Sequence, residues 1–386
     1  MRLASSEKGR TKKAVGKWQV ISAVLALTAM AVGVCALRAP AQQTTTPAAP
    51  ATPAAAGDSA HQGPSAPPSK TPTIRTTVEL VTVPVTAINK RGQQVIDLNK
   101  DEFQVFEDGV QQPIRSLERE TSTPLRVGLI LDTSNTARSH LSYEKDAAIE
   151  FVFMALRNGG TKNQIFLQTF DATSSIIQDF TNDPDVLNDK IQALKSGGGK
   201  ALYDAIYFAC KEKMLKTGSP EDVRRILIVM SDGLDVQSQH TLDQAVSEAR
   251  IAETMIYTVG TAAYGYSNPG DKLLEDMSSE TGGAPSFPLR DAPGTDLLTG
   301  YLSHGQIGDT SQNKGLGAET GAFSAQRLVH LADALQDIGR ELDEQYTITY
   351  KPLRGALDGT YRSIKVVTTH KGTTLRWKPG YFATAE

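Results

Sequence analysis

The stretch Arg126-Val127-Gly128-Leu129-Ile130-Leu131-Asp132-Thr133-Ser134-Asn135-Thr136 decides the fold class. Val127 to Leu131 is a near-continuous apolar run, the pattern of a strand buried on both faces, as in a parallel sheet covered by helices. One carboxylate, Asp132, and two hydroxyls at alternate positions, Ser134 and Thr136, follow where that strand ends. Open α/β sheets place their ligand sites at the carboxyl ends of the strands. A hard divalent cation takes such a set of oxygen ligands, with one or two carboxylates and some retained water. Alone, Asp-x-Ser-x-Thr arises often by chance.

Two further pieces occur in the matching order. Ile226 to Met230 reads as a second buried strand and ends in Ser231, Asp232 and Gly233. Between the two lies Ser196-Gly197-Gly198-Gly199-Lys200-Ala201-Leu202-Tyr203-Asp204, a glycine loop that opens a helix. Around them helices are predicted over 141–156, 184–194, 201–215, 241–252 and 272–281, and strands over 164–170, 176–180 and 255–259. Alternation of this kind predicts a doubly wound, mostly parallel sheet. From 290 to 324 the pattern stops and glycine recurs, so a mobile insertion is expected there.

The flanks read differently. Residues 74–122 show period-two runs such as Val81, Val83, Val85 and Phe103, Val105, with an Asp108-Gly109 turn. Residues 345–386 repeat the pattern in Tyr346, Ile348, Tyr350 and in Ile364, Val366. About 45 residues make a small core. The expectation is therefore one β-sandwich built from both flanks, with the α/β domain of residues 123–344 inserted in it.

The ordered triplet resembles the von Willebrand factor type A domain, over roughly residues 124–290 plus a helix near 325–345. The resemblance implies a Rossmann-like fold and a metal-ion-dependent adhesion site. It carries the ligand roles to Asp132, Ser134, Thr136 and Asp232, and the cofactor role to Mg²⁺, or Mn²⁺ or Ca²⁺. The run Asp101 to Gly109, with Gln345-Tyr346 and Pro379-Gly380-Tyr381, is also similar to exported bacterial proteins well represented in Acidobacteria. That match extends the resemblance to residues 74–384.

One position departs from the family pattern. The loop hydroxyl that ligates the metal is replaced by Lys200, whose ammonium has donors and no lone pair. An inward ammonium at about 4 Å from a divalent ion would cost roughly 8 kcal/mol at an effective dielectric near 20. Two arrangements follow. Lys200 swings outward and the ion stays, weakly bound, or its ammonium lies between Asp132 and Asp232 as a built-in cation.

The amino terminus carries Arg2, Lys8, Arg10, Lys12, Lys13 and Lys17 before the uncharged run 19–37, with Ala39-Pro40-Ala41 behind it. That reads as a signal peptide or membrane anchor over 1–41, which places the remainder outside the cytoplasm, periplasmic, secreted or anchored. Residues 42–73, rich in Pro, Ala and Thr, read as a disordered tether. The chain has 40 basic and 43 acidic residues; setting aside 1–41, with seven basic and one acidic, leaves a net charge near −9. Nucleic acid is excluded as a partner on that ground. Cys35 and Cys210 are the only cysteines, so a cleaved product has no internal disulfide.

No enzyme is expected. The six histidines are scattered and read as exposed, no Gly-x-Ser-x-Gly elbow occurs, and Gly197 to Lys200 lacks phosphate-loop spacing. Asp204 reads as a first-turn helix acid, and Ser231 as a hydrogen-bonding support behind the ligands. The resulting expectation is an exported adhesion module with a degenerate cation site, meeting an acidic side chain of a protein partner. The alternative is a metal-independent scaffold in which Lys200 replaces the ion. A membrane enters only through the amino-terminal segment, if uncleaved.

Overall fold

The computed structural model describes residues 80–119, 123–159, 162–219, 222–262, 268–290, 321–355 and 357–383. The expected export segment, the tether and most of the 290–324 insertion lie outside them. Among the described residues no helix is long and apolar enough to cross a membrane.

The central sheet contains β5 (Leu125–Asp132), β6 (Gln164–Phe170), β7 (Ser174–Thr181), β8 (Arg224–Ser231), β9 (Thr254–Gly260) and β10 (Pro285–Ser286). Their order is β10-β9-β8-β5-β6-β7, parallel except for the antiparallel edge strand β7. β5 is apolar at its buried positions from Val127 to Leu131, because both faces are covered, and ends in the buried Asp132. Leu129 and Leu131 pack under α1 (Leu141–Gly159) and α6 (Gly321–Glu344), while Ile130 faces the cluster of α3 (Leu202–Phe208), α4 (Leu242–Ile251) and α5 (Pro269–Ser279). A Cβ on Gly128 would lie 2.4 Å from both Leu227 and Phe166, so this strand position has room for glycine alone. α2 (Pro184–Gln192) begins under an Asp183 cap.

The doubly wound α/β sheet and the added strands are as expected; details differ. The helix predicted over 201–215 is regular only to Phe208 and then widens over Ala209–Lys213, with Cys210 and Met214 buried. α5 starts at Pro269 rather than Lys272, because Asn268 caps it and proline suits the first helical position. α6 starts at Gly321, inside the expected insertion.

Both flanks form two four-stranded sheets. One has the order β13-β1-β11-β4 and the other β14-β12-β2-β3. Their strands are β1 (Val81–Asn89), β2 (Phe103–Glu107), β3 (Val110–Gln112), β4 (Ile114–Arg119), β11 (Tyr346–Tyr350), β12 (Tyr361–Thr368), β13 (Thr373–Trp377) and β14 (Gly380–Phe382). β1 lies antiparallel between β11 and β13, and β2 pairs with β12, so each sheet mixes the two ends of the chain. The Asp101–Gly109 segment is β2 with a tight turn, Asp108 and Gly109 both having positive φ, the geometry of a two-residue hairpin. Asp108 closes it by accepting from the backbone N–H and hydroxyl of Ser363.

Polar side chains join the sandwich to the α/β domain. The Glu341 carboxylate accepts from Tyr257 on β9 (2.6 Å) and Thr86 on β1 (3.0 Å), and pairs with Arg376 on β13. Arg224 donates to the Leu342 carbonyl near the end of α6 (2.7 Å).

Candidate functional site

β5 and β8 are neighbours at the place where the sheet order reverses, so Asp132 and Asp232 meet at one carboxyl edge. Asp132 is 1 % exposed, and its Oδ1 accepts from the Ser134 N–H at 2.9 Å. The hydroxyls of Ser134 and Thr136 are hydrogen-bonded to each other at 2.9 Å. Ser231, expected as a support, donates to Asp132 Oδ2 at 3.4 Å and accepts from Gly233.

The glycine loop lies over this strand end. Gly197 donates to the Thr133 carbonyl (2.8 Å) and Asn135 to that of Gly198 (3.3 Å). The Lys200 carbonyl accepts from the amides of Val236 (3.0 Å) and Gln237 (2.9 Å), which anchors the backbone of Lys200 to the loop after β8. Its side chain turns inward. The Lys200 ammonium is 3.0 Å from Asp132 Oδ2 and 2.7 Å from Asp232 Oδ2, and the lysine is 5 % exposed.

Lys200 thus bridges the two carboxylates that would hold an ion. A divalent cation on these oxygens would lie about 2.0–2.6 Å from them, against an ammonium already bonded to both. The residues present do not fit a cation while Lys200 holds this position. Among the described residues no group of three or more histidines, cysteines or acids could hold one elsewhere.

Several residues of this edge were not singled out from sequence. The Asn268 side chain donates to the Asp232 carbonyl at 2.7 Å, and its Asn-Pro cap signal was readable. Glu144 is fully buried below the loop, its carboxyl pushed up by burial against the opposing pull of His140, whose Nδ1 lies 2.7 Å from Oε1. His140 and His240 are half-buried carboxylate partners, which corrects the expectation of exposed histidines. Asp204, in the first turn of α3 as expected, also accepts from the amides of Gln239 and His240 and from the His240 ring. Burial opposes its ionisation, but these donors outweigh burial and hold its carboxyl below the usual range.

Residues 127–298 match the family model of the von Willebrand factor type A domain. Over this stretch the chain is similar to that domain. Solved structures similar to it include BatB from Bacteroides thetaiotaomicron, with 15 % identity over 47 % of this chain and 98 % of that one, at a TM-score of 0.34. Proximal thread matrix protein 1 from the mussel byssus is similar too, in a form described as having a zinc-occupied MIDAS motif. It shows 12 % identity over 61 % of this chain and 50 % of that one, at a TM-score of 0.40. No curated protein matches. Von Willebrand factor type A domains are in general non-enzymatic interaction modules; in this chain the carboxyl edge of β5 and β8 is closed by Lys200.

Proposed function

We propose that the protein is an extracytoplasmic protein-interaction module whose type A domain works without a metal ion, the Lys200 ammonium standing in for the cation. The observation that carries this reading is the double contact of Lys200 with Asp132 and Asp232 at 3.0 and 2.7 Å. A tethered ammonium satisfies both carboxylates and holds the β5 and β8 loops in register, as an ion would. It offers no open coordination position to a partner's carboxylate. Partner contact then falls to the loops around it, where Val236 and Leu234 are exposed on the segment that anchors Lys200. The basic and apolar amino-terminal pattern supports export, and the net acidity of the remainder supports a protein partner rather than nucleic acid.

The second reading keeps a weakly bound Mg²⁺, Mn²⁺ or Ca²⁺ on Asp132, Ser134, Thr136 and Asp232. Its support is the Ser134–Thr136 hydroxyl pair, which keeps two potential ligands together. Calorimetric titration of Mg²⁺ and Mn²⁺ into the full chain separates the two. The expected result is no saturable binding to the parent and metal binding to Lys200→Thr, abolished by adding Asp132→Ala. Saturable binding to the parent that Asp132→Ala removes would overturn the lysine reading in favour of the second.

A further inference from the structure

α1 follows the end of β5 and returns to its start, where Asn163, just past the helix, accepts from the Leu125 amide and donates to the Ala155 carbonyl. α6 ends at the start of β8, its Leu342 carbonyl accepting from Arg224. The two helices therefore run parallel on one face of the central sheet. A Cβ on Gly339 would lie 2.3 Å from Met154, so α6 leaves room there for the methionine. Outward of this seam lies an open groove of about 430 Å³, lined by Ile149, Glu150, Phe153, Met154, Arg157 and Gln336.

Most apolar side chains of α1, among them Phe151, Val152 and Ala155, face the core. Phe153 faces outward and is 41 % exposed. On α6, Val329 is 54 % exposed and lies seven residues before Gln336, on the same side of the helix. Charges frame these apolar groups in a fixed order. Glu150 stands three residues before Phe153 and Arg157 four after it, both exposed, seven residues apart on one helical face and about 10 Å apart along the axis. Among the described residues neither forms an ion pair. α6 repeats the order beside them, with Asp333, then Gln336, then Arg340, which Asp337 holds within its own helix. An acid before the centre and a base after it match a second copy running the opposite way.

We infer that this face is a self-association surface, on which two copies of the chain pack α1 against α1 antiparallel about a two-fold axis beside Phe153. Glu150 of each copy then lies opposite Arg157 of the other, and the two Phe153 rings meet at the centre. A parallel pairing would set acid on acid and base on base, so the charges select the antiparallel, isologous arrangement. α1 has 19 residues and is about 28 Å long. With α6 alongside, a contact about 20 Å wide covers on the order of 1,000 Å² over both copies, the low end for a specific interface. A dimer of that size exchanges with monomer.

Sedimentation velocity on the full chain over a range of concentrations tests this. The expected result is a reversible monomer–dimer equilibrium. Glu150→Arg and Arg157→Glu, both on the exposed face, are each expected to weaken the dimer on the order of tenfold or more, because like charges then face each other twice. Mixing the two single variants is expected to restore association, since each supplies the charge that the other lacks, and this also shows that both are folded. The double reversal is expected to dimerise as the parent does, and Phe153→Ser to weaken the dimer without rescue by either charge variant. Lys200→Thr is expected to leave it unchanged. A parent that stays monomeric up to about 100 μM would leave the groove to a partner of other sequence and overturn the inference. A dimer indifferent to the single reversals, or single reversals that neither mixing nor the double reversal repairs, would overturn it as well.

Discussion

Lys200 shows what a single exchange does to a site whose framework is retained. The hydroxyl of the family pattern can only donate a lone pair to an ion, whereas an ammonium supplies the charge itself. With Asp132 at 1 % and the lysine side chain at 6 % exposure, removing that charge leaves the buried Asp132 carboxylate facing the partly buried one of Asp232. Lys200→Met is therefore expected to cost about 3–5 kcal/mol in denaturant melts, the range for breaking a buried pair from one side. Chelator should leave the parent's midpoint unmoved. Asp204 offers a test by pH. Its folded pKa lies below the unfolded value near 3.9, so the stability it contributes is present above about pH 4 and is lost as pH falls through the lower folded value. Asp204→Asn is expected to lower the thermal midpoint at pH 7, and the gap to the parent should narrow below pH 4.

Elements are aimed at the site by close backbone contact as much as by hydrogen bonds. The start of α5 lies against the loop after β8: a Cβ on Gly270 would come within 1.9 Å of the Asp232 carbonyl oxygen, which also accepts from Asn268. Backbone on both sides cannot yield as a flexible side chain would. Gly270→Ala is expected to destabilise by roughly 1–3 kcal/mol, the usual cost of overpacking, and, in Lys200→Thr, to weaken Mg²⁺ binding because Asp232 is displaced. Calorimetry on the double variant reads the second effect. The Asn268-Pro269 signal for this helix start was readable in the sequence. Its contact with Asp232 was not, because 36 residues separate the two and no local pattern encodes the approach.

At the scale of the molecule, the sandwich exists only because the chain returns. β1 has both of its neighbours, β11 and β13, from the carboxyl-terminal flank, and β2 packs beside β12. A chain stopped at Glu344 is expected to lose hydrogen-exchange protection throughout residues 80–119, because an isolated hairpin is marginal in water. The junction is expected to be held chiefly at Glu341, where Tyr257, Thr86 and Arg376 from three different strands converge on one carboxylate. Glu341→Gln keeps the shape and removes the charge; a loss of about 1–3 kcal/mol in the melting of the full chain is expected.

The sequence by itself determined the strand ending in Asp132, Ser134 and Thr136, its parallel companion ending in Asp232, the glycine loop between them, and the two β-rich flanks. Those features are written in runs of a few residues, where hydrophobic period and turn chemistry act locally. Only the tertiary structure decided where Lys200 points, since a four-carbon stem can face either way and the choice depends on charges 68 residues before it and 32 after it along the chain. The same holds for the seam of Glu341. Each is assembled from strands far apart in sequence, and polar contacts between distant segments leave no periodic trace in any one of them.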